Sequence, residues 1–399
     1  MANCRKTLVF DPVTFKGGSK VATCDALAEC RTQDNEFIVL TATPEFWRDS
    51  DFHHTHKVSI VTLYQRSYLS KKQHGLLYWF AQSVLCLQLI VVALKAQKIH
   101  KIVGASGPGI DMAIYLYKMI SSVSVIQFIH GNVGLSRSIG YCLTKADTVL
   151  YLPSTRSSLK HALAAYLSHV TGVEDSNAVA ESHLKSDRFQ SFVNGIPRSR
   201  WPSPCQHTMP TFMWGASLLK WKGLDCMLDA FAISTQVRTF PLNICFIRPK
   251  DTSLPITDAP RNQNQVQWYD DPDNLDEIRT QSNIFISTSH KEPFGLSILE
   301  ALAAGMCVII PQDGAFWDQQ LTHNVDCIKY QPSDANALAD ALLYAASENG
   351  LLQSCGKHAM KLAKQYRADY RYHRFAQLIN DEKAISRLTS AELAQLKQR

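Results

Sequence analysis

Nowhere in this 399-residue chain are two cysteines separated by two residues, and none of the eleven has histidine partners at metal-ligand spacing. That argues against a zinc ribbon and a disulfide framework, and the odd, scattered set is expected to be reduced thiols of a cytosolic protein. A second absence is the G-x-G-x-x-G fingerprint, which counts against an NAD-dependent enzyme. Charged residues make up only 19% against 46% apolar, which leaves no room for a long disordered tail. No leader-like segment opens the sequence either: "MANCRKTLVFDP" runs directly into a strand pattern. The length exceeds what one hydrophobic core usually fills, so two domains are expected.

What is present is concentrated near the end, in "SNIFISTSHKEPFGLSILEALAAGMCVIIPQDGA" from Ser282 to Ala315. "NIFIS" reads as a buried parallel strand, "LSILEALAAG" as a helix stopped by Gly305, and "CVIIP" as the next strand. A strand-loop-helix passage of this kind leaves the first N–H groups of the helix pointing at the loop, where a phosphate takes them up. Pro293 and Gly295 suit that helix start. Glu292 and Glu300 lie on either side of it, one placed to accept hydrogen bonds from a sugar and the other from a ribose. The plainer alternative is a glutamate at the helix dipole and a solvated helix residue.

The string "EPFGLSILEALAAG" resembles the nucleotide-sugar motif of the retaining family 4 glycosyltransferases. The resemblance implies the GT-B architecture, an α/β fold in which two Rossmann-like domains with parallel sheets face each other across a cleft. It also implies that Glu292 orients the transferred sugar and Glu300 holds the ribose, while the backbone near Phe294, Gly295 and Leu296 meets the donor diphosphate.

The N-terminal half alternates strand and helix patterns, which predicts a parallel sheet with ligands at the carboxyl ends of its strands. Gly17, Gly18, His130 and Gly131 fall at such ends. From the residues alone the glycine pair is a turn and His130 a structural histidine. The resemblance assigns the glycine loop to the donor phosphates and acceptor, and His130 to the transferred sugar as a catalytic contact. "GLLYWFAQSVLCLQLIVVALKA", Gly75 to Ala96, is nearly long enough to span a bilayer. Gln82, Ser83 and Gln88 interrupt it, and it reads as a buried helix rather than a membrane-contacting one; Lys71, Lys72, Lys98 and Lys101 flank it.

The domain boundary is expected at "FVNGIPRSRWPSPCQHTMP", where the Asn194-Gly195 turn precedes four prolines. The expected division is an acceptor domain over 1–198, a linker over 199–209, a nucleotide-sugar domain over 210–378 and a helical segment over 379–399 that packs back on the first domain. In the second domain, Lys222-Gly223 matches the family's phosphate-clamping lysine and its glycine, but Ser217 stands at the arginine position and Ala216 at a usual glycine. Serine offers a weaker hydrogen bond than an arginine fork, with Lys220 and Arg248 as alternative sources of charge. Tyr269 is a candidate beside the base, and Arg248 and Lys250 either meet the nucleotide or face water. Asp271-Pro272-Asp273 imitates a metal-binding DxD but reads as turn and cap chemistry, so no metal and no cofactor is expected.

Residues 1–198 carry 21 Lys+Arg against 14 Asp+Glu, a net of +7, and the remainder 20 against 21. An anionic membrane surface or acceptor is one reading of that excess, and a basic surface with no particular partner is the other. No nucleic-acid partner is expected. The expected activity is sugar transfer with retention from a UDP- or GDP-type donor to a glycan or lipid-linked hydroxyl, in bacterial surface polysaccharide or glycoconjugate synthesis. Its expected place is the cytoplasm, at the inner face of the membrane. The alternative is a non-catalytic GT-B protein that binds sugar nucleotides or glycans.

Overall fold

The computed structural model describes residues 5–65, 74–172, 175–206 and 208–381. Two sheets, parallel throughout, organise it. The first contains β1 (Arg5–Asp11), β2 (Asn35–Thr41), β3 (Val58–Thr62), β4 (Lys101–Gly104), β5 (Ser124–Ile129), β6 (Thr148–Tyr151) and β7 (Phe189–Ser191), in the order β3-β2-β1-β4-β5-β6-β7. The second contains β8 (Phe212–Ser217), β9 (Leu242–Ile247), β10 (Val266–Asp270), β11 (Ile284–Ile286), β12 (Cys307–Pro311) and β13 (Cys327–Tyr330), in the order β10-β9-β8-β11-β12-β13. Central strands such as β5, β11 and β12 are largely apolar runs because helices cover both faces of a parallel sheet. Strand order reverses between β1 and β4, and again between β8 and β11, which opens a crevice at the carboxyl end of each sheet.

The chain passes between the sheets twice at almost one point. Ile196 donates its N–H to Tyr366 O (2.9 Å) and accepts from Ala368 N (3.0 Å). A Cβ on Gly195 would lie 2.8 Å from the backbone of Ala368, so only glycine lets the two passes lie this close. Beyond the second pass, helix His373–Asn380 docks on the first sheet. Phe375 stacks on Phe128 of β5 at 5.0 Å, Arg374 reaches Gln190, and the Asn380 side chain accepts from Asn35. Apolar packing is continuous across the two domains, from Phe128 and Phe192 to Phe294, Trp317 and Tyr366. The stretch read as a linker also packs: Cys205 N donates to Ala304 O and Gln206 N to Thr280 O. Of the helical segment expected over 379–399, residues 382–399 lie outside the described residues, as do Lys71 and Lys72.

Two expectations are corrected. Helix Gly75–Lys95 is not a buried helix: only 39% of its apolar window is enclosed, and Leu76, Phe80, Leu87 and Leu94 lie open. Its polar residues do not interrupt the exposed face, since Gln82 caps the Ala113 N–H, Ser83 bonds back to Trp79 O, and Gln88 holds the Tyr64 backbone. Length and apolarity alone would let it cross a membrane, but Tyr78, Leu85 and Leu89 are committed to the core of the first domain. The second correction is at Asp271 and Asp273. No side chain caps helix Leu275–Thr280, and Asp271, at a positive φ of 43°, instead pairs with Lys16 across the domains at 3.5 Å.

Phe375 is 2% exposed, so Phe375→Ala is expected to cost about 3–5 kcal/mol of unfolding free energy. Denaturant unfolding checks this: a cost below about 1 kcal/mol would mean that the returning helix is not part of the cooperative fold.

Candidate functional site

The crevice is built from loops that follow β1 and β5 in one sheet and β8 and β11 in the other. At the end of β1, Asp11 is buried and accepts from Thr41 (2.7 Å), from the Trp47 indole (2.8 Å) and from Lys20, whose ammonium lies 3.0 Å away. Burial lowers the Lys20 pKa against the opposing pull of Asp11. Lys20 also donates to Val13 O (2.8 Å), which fixes the loop leading to Gly17 and Gly18 from below. Gly18 faces the other domain: a Cβ there would be 3.8 Å from the Leu296 side chain. Gly18 is thus brought against the N-terminus of the helix carrying Glu300, while Gly17 packs against Phe15 of its own loop.

That helix, Leu296–Ala303, starts at Gly295 with φ +79° and has no side-chain cap, so its first-turn N–H groups stay unpaired. A Cβ at Gly295 would press to 3.0 Å on both Glu292 and Ile298. The Gly295 carbonyl accepts from the Trp317 indole at 3.2 Å, and Phe294 beneath it is 2% exposed among Phe316, Trp317 and Tyr366. Phe294 therefore holds the turn from the core side. Its side chain is not presented to the crevice.

Lys222 and Glu292, read from separate motifs, meet directly as an ion pair, with the Lys222 ammonium 4.1 Å from the centre of the Trp221 ring. Thr288 ties their loops together, donating to Lys222 O (2.8 Å) and accepting from the Trp214 indole (2.9 Å). Ser217 ends β8, half-buried, opposite Ile247 of β9 in the pairing register. Arg248 follows directly in the chain, and its guanidinium is held by Ala259 O (2.8 Å) and by Asp270 at 3.9 Å. Tyr269 lies on β10, at the edge of the sheet, with its hydroxyl donating to Gln267 (2.6 Å).

Glu300 has a denser environment than its sequence context indicates. Arg200 donates to one carboxylate oxygen at 2.9 Å and Arg279 to the other at 2.8 Å. Arg200 also binds Asp25, in helix Gly18–Ala28 of the first domain. Burial raises Asp25 to about 6, with Arg200 pulling it down. Arg200, Arg279 and Asp25 were not found by motif reading, because each is defined by a partner 21 to 175 residues away. The carboxylate of Glu300 keeps a second lone-pair site on each oxygen for a hydroxyl ligand.

His130 follows β5 directly and packs edge-on to Phe128 at 4.3 Å. Thr23 spends its proton on Ser19 O (2.8 Å), so the 3.0 Å contact to Thr23 Oγ is donated by His130 Nε2. Nδ1 is then enclosed, with no partner at full hydrogen-bond geometry. The residue keeps some surface, but desolvation of its ring lowers the pKa to about 3, against a weaker opposite pull from Asn194. The imidazole is neutral at physiological pH.

Comparison with known proteins places this geometry. Residues 196–362 match the family model of the glycosyl transferases group 1. Sucrose-phosphate synthase of Zea mays is 30% identical over 102 residues, which are 26% of this chain but only 9% of the maize enzyme. Among solved structures, a glycosyltransferase from Rickettsia africae ESF-5 superposes with a TM-score of 0.65 at 15% identity, covering 96% of this chain and 100% of the other. HepE of Anabaena, solved in complex with UDP and glucose, gives a TM-score of 0.66 at 14% identity over 94% and 99% of the two chains. The chain has the GT-B fold, and most of its second domain resembles the glycosyl transferases group 1.

Proposed function

We propose that this protein is a retaining glycosyltransferase that moves a sugar from a nucleoside-diphosphate donor to a hydroxyl of a glycan or lipid-linked acceptor, in surface polysaccharide or glycoconjugate synthesis. The observation that carries the reading is the convergence of Lys222, Glu292 and the uncapped helix start at Gly295 on one switch point, faced by Gly18 from the other domain. The UDP and glucose of the Anabaena HepE structure make a UDP-sugar the first donor to test.

In this mechanism the bond between the anomeric carbon and the β-phosphate oxygen breaks, and the acceptor oxygen bonds to the same face of that carbon. The departing diphosphate keeps the bonding electrons. Its charge is met by Lys222 and the helix N–H groups, which act as fixed donors. The acceptor proton passes to a departing phosphate oxygen, so no protein nucleophile is required. Glu292, released from Lys222 when the diphosphate takes that cation, accepts hydrogen bonds from the sugar. Glu300 accepts from the ribose while its other sites stay on the two arginines. Arg248 supplies charge where the family carries arginine, and Tyr269 stands on the base side. His130 contributes a neutral ring contact to the sugar. Placement at the inner face of the cell membrane follows from a lipid-linked acceptor.

Thermal unfolding against UDP, GDP, ADP and their sugar conjugates tests the donor class. The correct nucleotide at one hundred times its dissociation constant stabilises the fold by about 2.7 kcal/mol. Lys222→Ala is expected to weaken that nucleotide by about 1.5–3 kcal/mol, roughly ten- to hundredfold in calorimetry. A Lys222→Ala protein that binds it as tightly as the wild type removes the phosphate assignment. No response to any sugar nucleotide removes the donor site altogether, and the non-catalytic glycan-binding reading replaces it.

The His130 assignment predicts a pH dependence with a definite sign. Its folded pKa, about 3, lies below the unfolded value of about 6.5. The unfolded state therefore binds a proton first, and the stability due to neutral His130 is complete above about pH 6.5 and falls away as pH drops towards 3. His130→Gln should flatten the loss of unfolding free energy between pH 6.5 and 4. An imidazole signal of His130 titrating near pH 6.5 in the folded protein would refute the neutral-ring role.

A further inference from the structure

Helix Gly75–Lys95 leaves one face uncovered among the described residues. Leu76, Phe80, Leu87, Val91 and Leu94 recur at steps of four, seven, four and three, which places them along one helical face; they are 50–89% exposed. The stripe runs about 27 Å along the axis at 1.5 Å per residue. No unspent polar group breaks it, since Ser83 is bonded back to Trp79 O and Gln88 is held by the Tyr64 backbone. The neighbouring helix Met112–Lys118 ends in Met119 and Ile120, which are 68% and 71% exposed.

Charge identifies what fits this face. From residue 52 to residue 146 the sequence has ten Lys+Arg and a single carboxylate, Asp111, which is fully buried. That net of +9 exceeds the +6 of the whole chain, so everything else is net acidic. Several of these cations are matched by carboxylates from outside the segment, Lys101 by Asp381 and Lys118 by Asp147. Lys95 and Lys98, exposed where the apolar stripe ends, have no ion-pair partner among the described residues. A second copy docked here would bring two basic surfaces together, whereas anionic headgroups neutralise them.

We infer that the exposed face of helix Gly75–Lys95 lies in the surface of an anionic lipid bilayer, parallel to the membrane plane. Its apolar stripe enters the headgroup and acyl boundary, and Lys95 and Lys98 meet the lipid phosphates. The helix does not cross, because Tyr78, Leu85 and Leu89 hold its other face in the protein core. The inference rests on the lipid-linked acceptor reading for its biological sense, but its test requires neither donor nor acceptor.

The test is flotation of the full chain with phosphatidylcholine vesicles, with and without 30% phosphatidylglycerol, at about 0.1 M salt. Partitioning into the anionic vesicles should exceed that into neutral ones by at least about tenfold. Phe80→Asp with Leu87→Asp should lower it by at least about tenfold, and Lys95→Glu with Lys98→Glu should lower it on anionic vesicles alone. Both variants are at exposed positions and should keep the wild-type melting temperature and nucleotide response, so a lost donor site reads out separately. Equal partitioning of wild type and both variants overturns the inference, as does absence of vesicle binding. A soluble dimer that the Phe80 and Leu87 substitutions dissociate also overturns it, and assigns the face to a second copy.

Discussion

The two passes of backbone beside Gly195 set where the sheets face each other, and the crevice depends on that point. Ile196 is bonded to Tyr366 and Ala368 as a strand is bonded to its neighbours, so the passes cannot separate without losing two buried hydrogen bonds. Because the chain returns there, helix His373–Asn380 belongs physically to the first domain although it follows the second in sequence. Phe375 then packs on Phe128, two residues before His130. The position of a residue at the crevice is thus set by a segment almost 250 residues further along the chain. The double pass fixes where the two domains meet, and Gly18 lies against Leu296 across that meeting.

Electrostatics in the crevice follow from the same closeness. Three carboxylates at the crevice are matched by cations within the protein: Glu292 by Lys222, Glu300 by Arg200 and Arg279, and Asp25 by Arg200. These pairs differ in consequence. Lys222 stands at the loop mouth, and exchanging one carboxylate for a diphosphate conserves its charge balance. Arg200 links the two domains through side chains that are mostly enclosed, and removing any member would leave a poorly solvated charge, which is strongly destabilising. The Glu300 site therefore has a structural task of its own, and in the proposed function substitution there disturbs both that task and ribose binding.

How much of this was legible in the sequence depends on the range of the interaction. The strands and helix Leu296–Ala303 were readable because a buried parallel strand is an apolar run and a helix start has local chemistry. The nearness of Lys222 to Glu292 and the glycine start of helix Leu296–Ala303 rest on short motifs, and were readable for the same reason. Arg200 was not, since nothing near it reveals partners in two domains. At Asp271 and Asp273 the turn was read correctly and the cap was not, because a Pro-Asp turn favours capping only if the helix begins at the right residue, and here it begins at Leu275. Helix Gly75–Lys95 was misread for a different reason. Its glutamines and serine look like breaks in an apolar run, but hydrogen bonds to Ala113 N, Trp79 O and the Tyr64 backbone remove them from the outer face. Composition shows how apolar a helix is and does not show which side the core takes.

Neutral His130 narrows the chemistry of the crevice. An imidazolium there would oppose the positive charge that develops at the anomeric carbon, and a carboxylate would add a nucleophile. Enclosure by Phe128 and Phe192 with donation to Thr23 holds the ring in the one form that does neither. In the proposed transfer that charge is balanced from the other domain, by the diphosphate as it departs. Such a division needs the two sheets in close register, since a leaving group that also takes the acceptor proton must stay within a hydrogen bond of the face it leaves. The Gly195 passage supplies that register, so the feature furthest from the chemistry is the one on which it depends.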